Sequence, residues 1–383
     1  MTDPRVAERF RTLKHSATVE MSERVRAARA EGREIIAMSS GDPNMPTDSR
    51  IIDAAERALR DGATHYTSSG GERALREAIV RREQSRSGAS YHRDDVIVTP
   101  GGKFAVLTAL MGVIEPGDEV IVLQPSWVSY GPCVRLCGGV LVQVDALDCF
   151  DVDAIERAMT PATRAIIVNS PVNPTGRVLC ASDIAKLVQL ADERDLWIIF
   201  DQVYADLTYD GPVAFPQSSE PGFARTLVVD SLSKSFGMTG WRLGYLAMPP
   251  GLARYVVKFI QHSIYCVPAF IQAAGVRALE LGSELLPAYR SMFEARVRRA
   301  AAALADVDGI HCEPPSAGFF LFPRVQGDDV AIAQAWLEEL NIAVLPGSAF
   351  GSVGAGHLRI SLSCPDSDLD VALDRITRTG VAV

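Results

Sequence analysis

The stretch VIVTPGGKFAVLTALMGVIEPGDEVIVLQPSW, residues 96–127, contains two short β-rich runs, 96–99 and 119–123. Between them Pro100, Gly101, Gly102 and Lys103 open an apolar helix, FAVLTALMGVI. Further β-rich runs follow at 140–144, 165–169, 196–200, 226–230 and 243–248, each separated from the next by helix-like sequence. This alternation predicts an α/β fold, a three-layer αβα domain whose mostly parallel seven-stranded sheet is covered on both faces by helices. In open sheets of this kind ligands gather beyond the carboxyl ends of the strands. Thr99, Asn169, Asp201 and Ser231 would lie there.

Outside this region the pattern changes. Residues up to about 37 read as helix, with Arg24, Arg26 and Arg29 set among alanines and Val25. Beyond about residue 285, helical runs at 289–304 and 330–340 alternate with short strands at 319–322, 343–345 and 357–362. Both chain ends together are expected to build a smaller α+β domain. The expected division is a large cofactor-binding domain at 45–285 and a small domain from 1–44 and 286–383 that closes over the substrate.

The chain has 383 residues, 48% of them hydrophobic, enough to bury a large core. Its formal net charge of −9 argues against nucleic acid or an anionic membrane as partner, because counterion release needs a concentrated basic surface. Small molecules are the expected ligands. The opening MTDPRVAERFRTLKHS lacks an apolar core segment, and no later run is apolar for long enough to span a bilayer, so a cytoplasmic location is expected. Seven cysteines are scattered without a Cys-x-x-Cys pair, which fits reduced packing thiols better than disulfides or a metal site.

The segment SLSKSFGMTGWRLGY, residues 231–245, sets Lys234 between serines and places Arg242 before an apolar run. A lysine that forms a Schiff base must be positioned and partly desolvated. Ser231, Ser233 and Arg242 can hold a phosphate there, and pyridoxal 5'-phosphate is the cofactor this implies. Alone, the segment reads more readily as a solvated lysine in a serine-rich loop. Other stretches bear on the choice. Gly102 and Lys103 lie where a helix N-terminus offers free N–H groups to a phosphate, although Pro-Gly-Gly is also an ordinary turn. Trp127 could stack on a pyridine ring. Asn173, in NSPVNPTGR, is held by two Pro-containing turns. Asp201 ends the run LWIIF, with Tyr204 three residues later. A carboxylate beside a pyridine nitrogen keeps it protonated and a phenol can bond the ring's phenolic oxygen, while an Asp at a strand end is otherwise a helix N-cap. Arg359, in HLRISLS, can clamp an α-carboxylate, and Gly41, in SSGDPNMPT, lets backbone approach the same group. Neither G-x-G-x-x-G nor a P-loop pattern occurs.

In chain order, SGDPNMPT, HYTSSGGERALREAI, VTPGGK, PGDEVIVLQPSWVSY, NSPVNPTG, DQVYADLTYDG, SLSKSFGMTGWRLGY, PSAGFF, LPGSAFG and HLRISLS together resemble the class I aminotransferases of pyridoxal phosphate fold type I, most of all the bacterial aspartate-type enzymes. The resemblance spans nearly the whole chain. It implies that Lys234 carries the Schiff base, Asp201 pairs the ring nitrogen, and Tyr204 and Asn173 bond the phenolic oxygen. Trp127 would stack on the ring, and Gly102, Lys103, Ser231 and Arg242 would cradle the phosphate. Tyr66 matches a tyrosine that reaches the phosphate of a neighbouring subunit, so the resemblance implies a homodimer with shared sites. Arg359 and Gly41 match the α-carboxylate site, with Trp127 and Asn173 also touching substrate. The implied reaction moves an amino group from an L-amino acid to a 2-oxo acid by a ping-pong mechanism, with aspartate and 2-oxoglutarate as the model pair.

Three positions depart from the usual pattern: Ser126, Gln202 and Phe104 replace a tyrosine, a glutamate and a glutamine. With His15 and the HSIYCVPAF stretch near His262, Ser126 and Gln202 are expected to border the side-chain pocket. Lys103 is a candidate for a distal carboxylate. A lyase or cyclising enzyme begins with the same carbanion and stays open as a second reading, with a regulatory module lacking turnover as a third.

Overall fold

The computed structural model describes residues 5–380. Strand β1 (Ile36–Ala37) precedes seven strands that form one sheet: β2 (Val96–Thr99), β3 (Glu119–Gln124), β4 (Val140–Asp145), β5 (Thr163–Asn169), β6 (Trp197–Asp201), β7 (Thr226–Ser231) and β8 (Gly244–Ala247). Their order across the sheet is β2, β8, β7, β6, β5, β3, β4. All pairs are parallel except the two made by β8, which runs antiparallel to both β2 and β7. The mostly parallel seven-stranded sheet expected from the sequence is therefore present.

Successive residues of a strand point to opposite faces, and away from the half-exposed edge strand β4 both faces are buried. Ile97, Val120, Val122, Ile167, Ile199, Val229 and Leu246 pack against Ala105, Val106, Ala109 and Leu110 of the helix Gly102–Val113. On the other face Val98, Val228 and Tyr245 meet Leu75 and Ile79 of the helix Arg73–Ser87, and Ile121, Ile166 and Ile198 meet Ile184 and Leu187 of the helix Ala181–Glu193. This double burial explains why β2, β3, β5, β6 and β7 read as runs rich in β-branched residues.

The two chain ends meet through β1, which pairs in parallel with β12 (Ile342–Ala343). The intervening short strands are β9 (Ile310–His311), β10 (Phe320–Leu321) and β11 (Arg324–Val325), followed later by β13 (Leu345–Pro346) and β14 (Leu358–Ser361). β14 lies between β10 and β13, antiparallel to each. Ile36, Met38, Ala300, Leu304, Trp336, Ile342, Leu358 and Leu373 share one core. Leu304 comes from a helix, Gly282–Ala305, that starts earlier than the run 289–304 because it continues through Pro287.

The N-terminal stretch is not one helix. Ser16 is extended, the helix Ala17–Ala30 follows it, and the chain then turns at Gly32 (φ 89°) into β1. Residues 1–4 of the stretch lie outside the described residues. No helix of the described residues is long and apolar enough to cross a membrane.

Candidate active site

Beyond the carboxyl ends of β2, β3, β5, β6 and β7 the chain forms a cavity of about 350 Å³. Gly41, Gly102, Lys103, Trp127, Asn173, Asp201, Tyr204, Ser231, Lys234, Arg242 and Arg359 all line it. Tyr66 does not: its side chain is exposed (83%) and its ring packs against Tyr265, 4.7 Å between centroids.

At one wall the turn after β2 leads into the helix Gly102–Val113. Gly101 occupies its cap position at φ 86°, ψ 168°, and no side chain caps the first N–H groups. A helix N-terminus left open in this way attracts an anion. A Cβ at Gly101 would sit 2.5 Å from Arg242 Nη2, so the missing side chain is what lets the guanidinium approach. Arg242 is itself fixed by donating to Thr239 O (2.8 Å) and Pro100 O (3.1 Å). Ser231 Oγ donates to Ser233 Oγ at 2.7 Å, adding two hydroxyls to the same wall. The wall as a whole has the donors to receive an anion.

Asp201, the last residue of β6, is buried, and its partners are neutral: Tyr130 Oη donates to Oδ2 at 2.7 Å and the Val203 N–H to Oδ1 at 3.2 Å. Burial pushes its carboxyl up to about 6, against the opposing effect of the Tyr130 hydrogen bond. A buried carboxylate without a paired cation among the described residues is costly, and a protonated ring nitrogen is the kind of partner that would relieve it. It caps no regular helix, because the chain beyond it turns through Val203 into the short 3₁₀ turn Ala205–Leu207.

Lys234 lies in the single helical turn Leu232–Ser235 after β7, where its Nζ donates to Gly41 O at 2.5 Å. Burial lowers its amine to about 8; Asp42 opposes the shift, and Arg359 and Arg242 add to it. An amine so lowered is available as a nucleophile or base near neutral pH.

Arg359 is not the solvated edge residue that a strand arginine commonly is. It is buried in β14 with its guanidinium between the rings of Phe320 (4.5 Å) and Phe350 (4.9 Å). It donates to Ser39 O and, at 3.3 Å, to Asn173 Oδ1, while Nε has no partner among the described residues. Burial lowers it to about 10, so it keeps its charge at neutral pH. A fixed, incompletely satisfied guanidinium suits a carboxylate. Tyr204, buried edge-on against Phe319 and Phe320, completes this wall, and burial raises its phenol above the ordinary range.

Some contributors were not singled out from sequence. Tyr130 lies three residues after Trp127 and meets its ring edge-on at 5.3 Å. Asn169, expected from the sequence at the carboxyl end of its strand, ends β5, donates to Asp201 O at 2.9 Å and accepts the Asn173 N–H at 2.7 Å, so it orients both. Ser16, Thr18 and Asp42 also line the cavity. In contrast, none of His15, Ser126, Gln202 and His262 lines it. His15 is exposed, the Ser126 N–H donates to Phe350 O at 2.8 Å, and Gln202 is fully buried beside Glu83.

Residues 33–376 match the family described as aminotransferase class I and II. The chain belongs to this family. It is 34% identical to the aspartate aminotransferase of Geobacillus stearothermophilus, covering 98% of each chain. It is also 34% identical to aromatic-amino-acid aminotransferase 2 of Thermococcus litoralis, covering 91% of this chain and 92% of that one. Among solved structures, the aspartate aminotransferase of Thermus thermophilus with maleate superposes at a TM-score of 0.93, with 33% identity and full coverage of both chains. This aminotransferase thus has relatives named for different substrates at the same identity, so side-chain preference must be sought in individual residues.

Proposed function

We propose that this aminotransferase binds pyridoxal 5'-phosphate through Lys234 and moves an amino group from an L-amino acid to a 2-oxo acid, with dicarboxylic substrates of the aspartate type preferred. The observation that carries the reading is a lysine amine lowered by burial in one cavity with a buried Asp201 whose hydrogen-bond partners are neutral and an Arg359 held against the rings of Phe320 and Phe350.

The residues fit the cofactor. Asp201 would face the ring nitrogen, Tyr204 and Asn173 the phenolic oxygen and Trp127 the ring face. Gly102, Lys103, Ser231 and Arg242 would surround the phosphate. When bound, pyridoxal phosphate supplies a reactive aldehyde and an electron sink for the pair left on the substrate α-carbon. Arg359, with the Gly41 backbone beside it, holds the α-carboxylate and so sets which α-bond faces Lys234. Once the incoming amino acid has freed it, the Lys234 amine would take the α-proton and deliver it to the carbon derived from the cofactor's aldehyde, acting as general base and then acid. The two substrates use the site in sequence, the first product leaving before the second 2-oxo acid enters. In this reading residues 45–285 form the cofactor lobe, and 1–44 with 286–383 bring Gly41 and Arg359 over the substrate. Two chains associate with Tyr66 directed to the partner's phosphate, and the location is cytoplasmic.

For the distal carboxylate, Lys103 is the available cation: it is exposed at the cavity, with Nζ 5.2 Å from the Trp127 ring centre. The test is a half-reaction with single amino acids, following stoichiometric 2-oxo acid and pyridoxamine phosphate. Lys234→Ala should abolish it, and Lys103→Ala should lower aspartate turnover relative to alanine. Full activity in Lys234→Ala, or elimination products in place of 2-oxo acid, overturns the proposal.

A further inference from the structure

On the sheet face covered by the helix Arg73–Ser87 lies a buried charged cluster that the reaction above does not use. Two guanidiniums, Arg82 and Arg86, meet three carboxylates, Glu83, Asp206 and Asp230. Arg82 approaches Asp206 at 2.7 Å, and Arg86 contacts Asp206 and, at 2.6 Å, Asp230 Oδ2. Glu83 comes only within 3.8 Å of Arg86. The two cations are thus matched by the two aspartates. A third negative charge in so buried a place would stand in excess.

The hydrogen bonds lead to the same result. Tyr245 Oη lies 2.6 Å from Glu83 Oε1 and 2.9 Å from Asp230 Oδ2. A phenol has one hydrogen and cannot donate fully to both. With that hydrogen on Asp230, the shorter contact needs a hydrogen from Glu83. Gln202 Nε2 donates to the same Glu83 oxygen at 2.9 Å, while Glu83 Oε2 has no partner among the described residues. An ionised carboxylate with one bare, fully buried oxygen is costly.

We propose that Glu83 is held as a neutral carboxylic acid and acts as a positioning residue: it donates a hydrogen bond to Tyr245, whose own hydrogen goes to Asp230, and this ordered chain secures the turn carrying Lys234. Asp230 Oδ1 accepts the Ser231 N–H at 2.6 Å, and Asp206 Oδ2 accepts the Ser235 hydroxyl at 2.5 Å. The cluster therefore grips the chain on both sides of Lys234. Asp230 also helps raise the carboxyl of Asp201. The groups facing Glu83 are Arg82 and Arg86 of its own helix, Tyr91 ahead of β2, Gln202 and Asp206 beyond β6, Asp230 of β7 and Tyr245 of β8. Burial pushes the Glu83 carboxyl up, with Arg86 acting against it.

The experiment compares urea unfolding of the wild type and Glu83→Gln, both saturated with pyridoxal phosphate, from about pH 5 to about pH 9. A folded state that keeps a proton on Glu83, where the unfolded chain has lost it, becomes less stable as pH rises. The ratio of unfolding constants, wild type over Glu83→Gln, is then expected to rise about tenfold per pH unit above the ordinary glutamate range. A ratio that stays constant or falls overturns the neutral acid. The positioning role rests on Lys234 as the reacting amine, and Tyr245→Phe tests it. Its kcat should fall roughly tenfold with KM within about twofold, while Glu83→Gln, still able to donate to Tyr245, keeps kcat within about twofold. Unchanged kcat in Tyr245→Phe overturns the positioning role. The unfolding comparison needs no turnover, so a failed assignment of Lys234 and an ionised Glu83 give different results.

Discussion

Burial acts on Lys234 and Asp201 in opposite directions on the pH scale, lowering the amine to about 8 and raising the carboxyl to about 6. Each is thereby made cheaper to hold neutral in a cavity that must also accept a carboxylate substrate. The lysine shift has a measurable consequence in the cofactor-free chain. Between about 8 and its ordinary value of 10.5, the folded state binds fewer protons at Lys234 than the unfolded state does. Stability from this group therefore rises with pH across that window and is lowest below about 8. Relative to Lys234→Met, the wild type should gain on the order of 3 kcal/mol between about pH 7 and about pH 11, read from urea midpoints. A difference that does not change with pH would mean that the amine is solvated. Arg359 needs no such tuning, because at about 10 it stays charged at neutral pH while the aromatic rings fix its orientation.

At the scale of elements, the site depends on how the turn between β2 and the helix Gly102–Val113 meets Arg242. Gly101 stands at φ 86° with Arg242 Nη2 2.5 Å from where a Cβ would be. Gly101→Ala should cost roughly 1–3 kcal/mol from backbone strain and also displace Arg242, weakening pyridoxal phosphate binding. Gly32→Ala is the control: its φ is also positive, at 89°, but nothing lies within 4 Å. It should lower Tm without changing cofactor affinity, and equal cofactor affinity in both variants would count against the cradle. Strands β2, β3, β5, β6 and β7 were legible because their β-branched runs are largely buried, so composition alone marks them. Of the two-residue strands, β10 falls in the expected run 319–322 and β12 and β13 overlap 343–345, whereas β1, β9 and β11 are too short for any period and depend on pairing across distant chain segments. For the same reason Arg359 could be named from HLRISLS but not its two rings, which come from Phe320 and Phe350. The cluster around Glu83 was hidden further still. A helix segment as charged as RREQSR reads as a solvated face, and only the fold brings Asp206, Asp230 and Tyr245 onto it.

For the whole molecule, the cavity within one chain gathers every proposed site residue except Tyr66. The segment bearing Tyr66 is tied to the sheet edge, since the Val98 N–H of β2 donates to Gly70 O at 3.0 Å. Its ring nevertheless stands in solvent beside Tyr265 (48% exposed), with Tyr255 (55%) also uncovered. A group of exposed aromatic side chains suits a surface that another molecule covers. The proposed second copy, with Tyr66 at its phosphate cradle, would account for both the exposure and the match to the family's shared-site tyrosine. Complementation separates this arrangement from a self-sufficient monomer. Tyr66→Ala should weaken pyridoxal phosphate binding roughly 10- to 100-fold through loss of one charge-assisted hydrogen bond, and Lys234→Ala should be inactive. Refolded together at limiting cofactor, the two variants form hybrids in which one site has lost both groups. The other pairs an intact Lys234 with an intact Tyr66 from the partner chain. Activity should therefore reappear at about half the wild-type level per hybrid, because one of its two sites is whole. If the mixture is no more active than the two variants assayed apart, Tyr66 serves its own chain or none, and the shared site is wrong.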